Sequence, residues 1–124
     1  MSQQNEFVSF LVESLQLIGP VTAKRMFGGH GIFLEGLMFG LVASSTLYFK
    51  VDDENIGAFK KEGMGPFTYS RKGKEFAMPY YQAPDEAMED GEELIKWANL
   101  AYGAAIRAAA RKNNKKTKAS KKSR

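Results

Sequence analysis

Apolar positions along the chain change period several times, and each change marks an element. Phe7, Leu11, Leu15 and Ile18 recur at helical spacing, with Val8, Phe10 and Val12 widening the stripe. A helix is therefore expected over residues 4–18. Gly19-Pro20 stops it, since proline cannot continue a helix and glycine suits the position just past its end. From Arg25 to Val51 the period drops to two. This stretch reads as three antiparallel strands, with a tight turn at Glu35-Gly36 and a weaker one at Ser44-Ser45. Residues 21–24 read as a link, and Gly28-Gly29 as a bulge or bend.

Counting register straight across those turns assigns the faces. Phe33, Met38, Gly31, Gly40, Phe49, Val42 and Leu47 fall on one apolar face, which helices are expected to cover. His30, Ile32, Phe39, Leu41, Tyr48 and Lys50 fall on the other, mixed face. That face is a candidate partner surface, with weak self-association into a homodimer or a groove expected there.

After Val51, Asp52-Asp53-Glu54 can cap a short helix in which Ile56 and Phe59 face inward and Gly63 marks the end. Phe67–Arg71 and Lys74–Tyr81 form a second hairpin about Lys72-Gly73, pairing Tyr69 with Phe76 and Phe67 with Met78. Pro79 lacks an N–H, so the last strand is expected to end there or lie at an edge. Asp90 with Glu93 resembles a capping box for a long helix carrying Leu94, Ala98, Ala101 and Ala105 on one face. The order is helix, three strands, helix, two strands, helix (α-β3-α-β2-α). It describes an α+β domain over 1–110, with an antiparallel sheet of about five strands and helices packed mainly on one face. Residues 111–124 hold one apolar residue, Ala119, and are expected to be a disordered lysine-rich tail.

Charge sharpens this division. The 124-residue chain has a formal net charge of +4, but residues 1–106 hold nine Lys/Arg against fourteen Asp/Glu, giving −5. Residues 107–124 hold nine cations and no acid, giving +9. Arg107, Arg111, Lys112, Lys115, Lys116, Lys118, Lys121, Lys122 and Arg124 are thus candidates for sequence-independent binding of DNA phosphates. The chain has no cysteine, which excludes disulfides and thiolate chemistry. No apolar run approaches the roughly 20 residues of a membrane span. The first residues carry no signal-peptide pattern, so a cytoplasmic location and no membrane partner are expected.

Little else promises chemistry. His30 is the only histidine, and no nucleophile or orienting carboxylate is identifiable beside it. Gly28-Gly29-His30-Gly31 leads into a strand and lacks the spacing of a phosphate loop. The acidic cluster Asp85, Glu86, Glu89, Asp90, Glu92 and Glu93 lacks the alternation of a calcium loop and reads as a solvated helix start. No catalytic residue, metal or cofactor is expected. Among the aromatics, Tyr48 with Lys50 and His30 forms a candidate nucleic-acid or partner patch. A pocket there would instead suit a small-molecule sensor.

One stretch resembles a known family. The features are Arg25-Met26-Phe27-Gly28-Gly29-x-Gly31, Gly36-x-x-Phe39-Gly40-Leu41-Val42 and Leu47-Tyr48-Phe49-Lys50-Val51, followed by Pro79-Tyr80-Tyr81 and Trp97-Ala98. They resemble the N-terminal domain of the TfoX/Sxy family of bacterial competence regulators, over roughly Phe7 to Ala110. The resemblance implies the same element order and a co-regulator role in switching on DNA-uptake genes, with a transcription-regulatory protein as partner. It implies no catalytic residues. Full-length members carry a second, helical domain, where this sequence has its lysine tail. Besides the small-molecule sensor with a pocket beside His30 and Tyr48, two functions follow as expectations. The leading one is a non-enzymatic regulatory or accessory protein whose tail binds nucleic acid. The alternative is a protein-interaction module with a solubilising tail.

Overall fold

The helical stripe at the start folds as α1 (Gln3–Ser14), prolonged by a 3₁₀ turn over Leu15–Ile18. This computed structural model describes residues 3–26 and 28–122, with side chains over 5–26 and 28–113. Gln16 closes the helix end: its Nε2 donates to the carbonyls of Val12 and Val21, at 2.8 and 2.9 Å. Six strands follow in one antiparallel sheet: β1 (Thr22–Met26), β2 (Gly29–Leu34), β3 (Leu37–Ala43), β4 (Thr46–Lys50), β5 (Pro66–Arg71) and β6 (Lys74–Gln82). Their spatial order is β1-β2-β3-β4-β6-β5. Between and after them lie α2 (Ile56–Lys61), α3 (Asp85–Glu89) and α4 (Gly91–Lys122).

The fold class is the α+β arrangement expected, with one strand more. The expected link at 21–24 forms most of β1, an edge strand whose residues are largely exposed. Its backbone pairs with β2 while its side chains bury little, so no alternation betrays it. No bulge interrupts the β1–β2 pairing: Gly28, at φ +75°, lies in the turn, and Gly29 opens β2 opposite Met26. The other three hairpin turns stand where the sequence places them. Glu35-Gly36, Ser44-Ser45 and Lys72-Gly73 all have both central residues at positive φ, matching the right-handed twist of the strands they join.

The bulge lies instead in β3. Ile32 pairs with Gly40 and Phe33 with Met38, leaving Phe39 as the extra residue. This one-residue shift overturns the expected faces of β2. His30, Ile32 and Leu34 lie on the helix side with Phe39, Gly40, Val42, Leu47 and Phe49, while Gly31 and Phe33 face the other way. Gly31 therefore does not sit opposite Gly40 under a helix. A side chain at Gly31 would meet Met26 and Phe33 on the open face, and one at Gly40 would meet Ile32.

α4 covers the sheet with the alanine face read from the sequence. Leu94, Trp97, Ala98, Ala101 and Ala105 are buried against the core that Phe39, Phe49, Ile32 and Leu47 supply. Phe39 meets Phe49 at 6.5 Å and Tyr102 edge-on at 5.7 Å. Phe59 of α2 joins through Trp97 at 4.8 Å, and Leu11 and Leu15 fill the β1 end of the same layer. Gly63 caps α2 at φ +76°: its N–H bonds Lys60 and the next N–H bonds Phe59, the paired closure typical of a helix C-terminus. All helices pack on one side.

Pro79 neither ends β6 nor marks an edge, since β6 lies between β4 and β5. The β5–β6 register slips between Pro66 and Thr68, from Pro66↔Tyr81 to Thr68↔Ala77. Residues of β6 left over by that slip include Pro79, so its missing N–H leaves no ladder bond broken. The same slip removes the expected Phe67–Met78 pair, while Tyr69↔Phe76 holds. α4 runs on as helix to Lys122, past the boundary expected at 110. Alanine, lysine and arginine over 104–112 are strong helix formers and supply no stop signal.

Gly29 packs its α-carbon against β3 so closely that a Cβ would overlap the Val42 carbonyl oxygen. Backbone cannot swing aside as a side chain can. Gly29→Ala is expected to lower stability by about 1–3 kcal/mol through overpacking, and Gly40→Ala by less. Urea denaturation of both variants checks the ranking, and an unchanged midpoint for Gly29→Ala would contradict the packing described.

Candidate nucleic-acid interface

The sequence-derived partner patch does not form a single surface. Ile32 and Phe39 are wholly buried in the core. His30 is 8% exposed, lies on the helix side between Arg25 and Val42, and its Nδ1 is buried without a hydrogen bond. It therefore cannot line a pocket with Tyr48, which points to the opposite face. Leu41 is on that opposite face but buried, between Gly31 and Tyr48 in register. Only Tyr48 and Lys50 remain as half-buried residues on the uncovered side. The Phe39 bulge, which no residue type in β3 announces, turns these side chains away from the expected face.

The basic segment begins differently from its expected free tail. Arg107 grips Asp52 with two hydrogen bonds, Nε to Oδ2 at 2.6 Å and Nη2 to Oδ1 at 3.0 Å, and its Nε lies 3.1 Å from Glu54. Arg111 Nη2 stands 4.0 Å from the same Asp52 carboxylate. Asp52 also accepts the backbone N–H groups of Glu54 and Asn55, closing the turn before α2, whose own N-cap is Asn55 rather than either Asp. Asn55 answers by accepting the Asp52 N–H and donating to the carbonyls of Lys50 and Leu100. Arg107 is thus a structural clamp between α4 and the β4–α2 loop, its guanidinium held by Asp52 and Glu54 rather than turned to a nucleic acid. Fifty-five residues separate the two partners, so no local pattern points to the pair. Lys112 is exposed. With Leu37, Met38, Lys50 and Tyr80 it borders a shallow groove of about 270 Å³. The side chains of Lys115, Lys116, Lys118, Lys121 and Lys122, and all of Arg124, lie outside the described residues.

Beside that groove, burial lowers the Lys50 amine from its ordinary pKa, with Asp52 opposing. Its Nζ sits 5.1 Å from the centre of the Tyr80 ring. Burial likewise pushes the Tyr80 phenol up to about 12. The acidic cluster lies on α3 and the first turn of α4, where Asp90 accepts the Glu92 N–H at 2.9 Å. Desolvation, then repulsion from Glu62 and Glu93, raises the Glu86 carboxyl. Among the described residues no group of three or more acidic or histidine side chains could hold a metal, and no helix is long and apolar enough to cross a membrane.

The uncovered sheet face is aromatic and cationic. Strand register places Lys24, Lys50, Arg71 and Lys74 there, and none of the acidic side chains of the strands. Tyr48 meets Phe67 edge-on at 5.1 Å. Tyr69 and Phe76 stack at 5.5 Å, each 42% exposed.

The Asp52 clamp carries a pH signature. The Arg107 hydrogen bond holds the Asp52 carboxyl below its usual range, outweighing the opposing effect of desolvation. A depressed folded pKa means the ionised form favours folding. That stability is complete above the unfolded value near 3.8 and is lost as pH falls through the lower folded value. Asp52→Asn should therefore cost about 1–3 kcal/mol at neutral pH, a deficit that shrinks towards zero in acid. Urea titrations of both proteins at neutral and acid pH read this directly. A deficit independent of pH would show that the ion pair contributes nothing.

Known proteins match most of the length of this chain. The TfoX N-terminal domain family model matches residues 13–105. The chain is 18% identical over 103 residues to Protein Sxy of Escherichia coli (strain K12), covering 83% of this chain and 49% of that protein. It is 29% identical over 82 residues to the DNA transformation protein TfoX of Haemophilus influenzae (strain ATCC 51907 / DSM 11121 / KW20 / Rd), covering 65% of this chain and 38% of that protein. The chain thus spans half the length, or less, of the curated relatives it matches. With three quarters of its residues inside the family match, and the α+β sheet beneath them, this chain belongs to the TfoX N-terminal domain family.

Proposed function

We propose that this protein is a non-enzymatic regulatory or accessory protein for DNA uptake, with the cations after Arg111 binding nucleic acid without sequence preference. The family and the name of the Haemophilus relative support the first half. The second half rests on one observation, the separation of charge along the chain. Residues 1–106 carry −5 and residues 107–124 carry +9. Subtracting Arg107 and Arg111, both drawn to Asp52, leaves seven of the nine cations for phosphates. α4 passes from the folded layer directly into them. Counterion release then gives affinity that is weak, non-specific and strongly dependent on salt.

A specific observation favours a protein partner as a second reading. Phe10 and Leu17, seven residues apart at the outer side of the first helix, are 54% and 85% exposed. Two large apolar side chains left uncovered by the described residues suit a regulatory protein or a second copy.

The test is a salt titration of fluorescent duplex DNA on the full chain. Seven contacts at roughly 0.9 each set a limiting log–log slope of about −6, and the acidic domain nearby brings the expected slope to about −4 to −6. Changing Lys112, Lys115, Lys116, Lys118, Lys121 and Lys122 together to glutamine should abolish duplex binding and leave the thermal midpoint unchanged. If the glutamine protein binds duplex as well as the parent, the cationic segment is not the site. If neither binds at low salt, it serves solubility.

A further inference from the structure

Helices cover one face of the sheet, and the bare face is not uniform. Over β1 to β3 it is closed by its own side chains, with Met26 and Phe33 lying where a side chain of Gly31 would be. Over β4, β6 and β5 it opens. Residues along β5 are exposed on both sides from Thr68 onward, so the hairpin tip projects beyond the packed layer. On its bare side Phe67, Tyr69 and Arg71 alternate along one strand, with Phe76 opposite Tyr69 and Lys74 opposite Arg71. A hollow of about 350 Å³ lies between Phe67, Tyr69, Arg71 and Met78.

We propose that this face of the β5–β6 hairpin binds single-stranded nucleic acid, taking bases on the Tyr69, Phe76 and Phe67 rings and phosphates on Arg71 and Lys74. Rings two residues apart on a strand are about 6.7 Å apart, close to the repeat of an extended single strand whose bases have unstacked. The hollow puts the Phe67 and Tyr69 rings beside the Arg71 guanidinium, an aromatic surface next to a phosphate-binding cation. Exposed rings of this kind accept any base, because every base presents a flat π-face. The charge fits as well. Arg71 and Lys74 stand on this side, and Glu75, the one acid of the hairpin, pairs with Ser70 on the other. A duplex keeps its bases inside the stack and could not reach the rings. A second copy laid face to face would set Arg71 and Lys74 against their own duplicates. This site is separate from the cationic C-terminal segment and does not depend on it.

The experiment uses the full chain with the six lysines named above changed to glutamine, so that the C-terminal segment is silent. Anisotropy at moderate salt compares a labelled short oligothymidylate with an abasic strand of equal length, which keeps the phosphates and lacks the bases. The oligothymidylate should bind at least about tenfold tighter, as stacking of even one base implies. Tyr69→Ala and Phe76→Ala should each lose most of that preference, and Tyr69→Phe should keep it. Equal affinity for the abasic strand overturns the proposal without relying on any variant folding. So does displacement of the oligonucleotide by a polyglutamate peptide at the same charge concentration, which would mark the face as one for acidic protein segments. Loss of duplex binding in the glutamine protein with oligothymidylate binding retained would separate this site from the C-terminal one.

Discussion

Phe39 is the extra residue of β3 that the β2 register steps over, and much of the molecule follows from it. The extra residue bends β3 and puts Phe39 and Gly40 together on the helix side. Phe39 then fills the space between Phe49 and Tyr102, the centre of the layer that α4 covers. Truncating such a side chain to alanine usually costs about 3–5 kcal/mol, a large share of what a domain this size has. Because the shift is one residue, it also exchanges the two sides of β2. His30, Ile32 and Leu34 go into the core, and Gly31 and Phe33 come out. The same shift brings Phe33 out to the bare face, opposite Met38.

How much of this the sequence discloses depends on the kind of signal. Hairpin turns are legible because left-handed backbone favours particular residues, and Glu35-Gly36 and Lys72-Gly73 supply them. The alanine face of α4 is legible because close packing requires small side chains at helical spacing. The strand β1 is hidden, since an exposed edge strand needs no alternation. The Phe39 bulge is hidden, since a straight count from Glu35-Gly36 gives an equally apolar arrangement on paper. For the site, Tyr48 and Lys50 stand on the uncovered face, as the count from the Ser44-Ser45 turn implies. Their expected neighbours His30, Ile32 and Phe39 do not, for the reason just given. The pairing of Arg107 with Asp52 could not be read, because nothing local links a loop to a helix fifty-five residues later. The stacked pair Tyr69–Phe76 is legible as a register match, but its exposure is not, because the pair lies on the side of the sheet away from the helices.

The clamp gives α4 a double role. Its first half, from Leu94 to Ala105, is part of the core. At Arg107 it is tied to the loop after β4 by Asp52, with Asn55 bonding Leu100 just before. Cationic sequence begins only after these ties. The order matters physically. A helix whose apolar half is buried is nucleated already, and residues added to its end need only propagate it. The domain therefore directs where its basic extension departs, whatever that extension meets.

Ser44 and Ser45 both hold left-handed backbone, at φ +50° and +57°. Residues with a Cβ occupy that region at a penalty of roughly 1–2 kcal/mol each, and glycine or asparagine would occupy it more readily. The turn closes all the same, because Val42↔Leu47 and Ala43↔Thr46 on either side hold it in register. Local preference at this corner is subordinate to strand pairing. Evolution has therefore left an unspent margin here. A lineage that adopted Asn-Gly at these two positions could accumulate otherwise disabling changes on the bare face, and so explore new binding specificities without losing its fold.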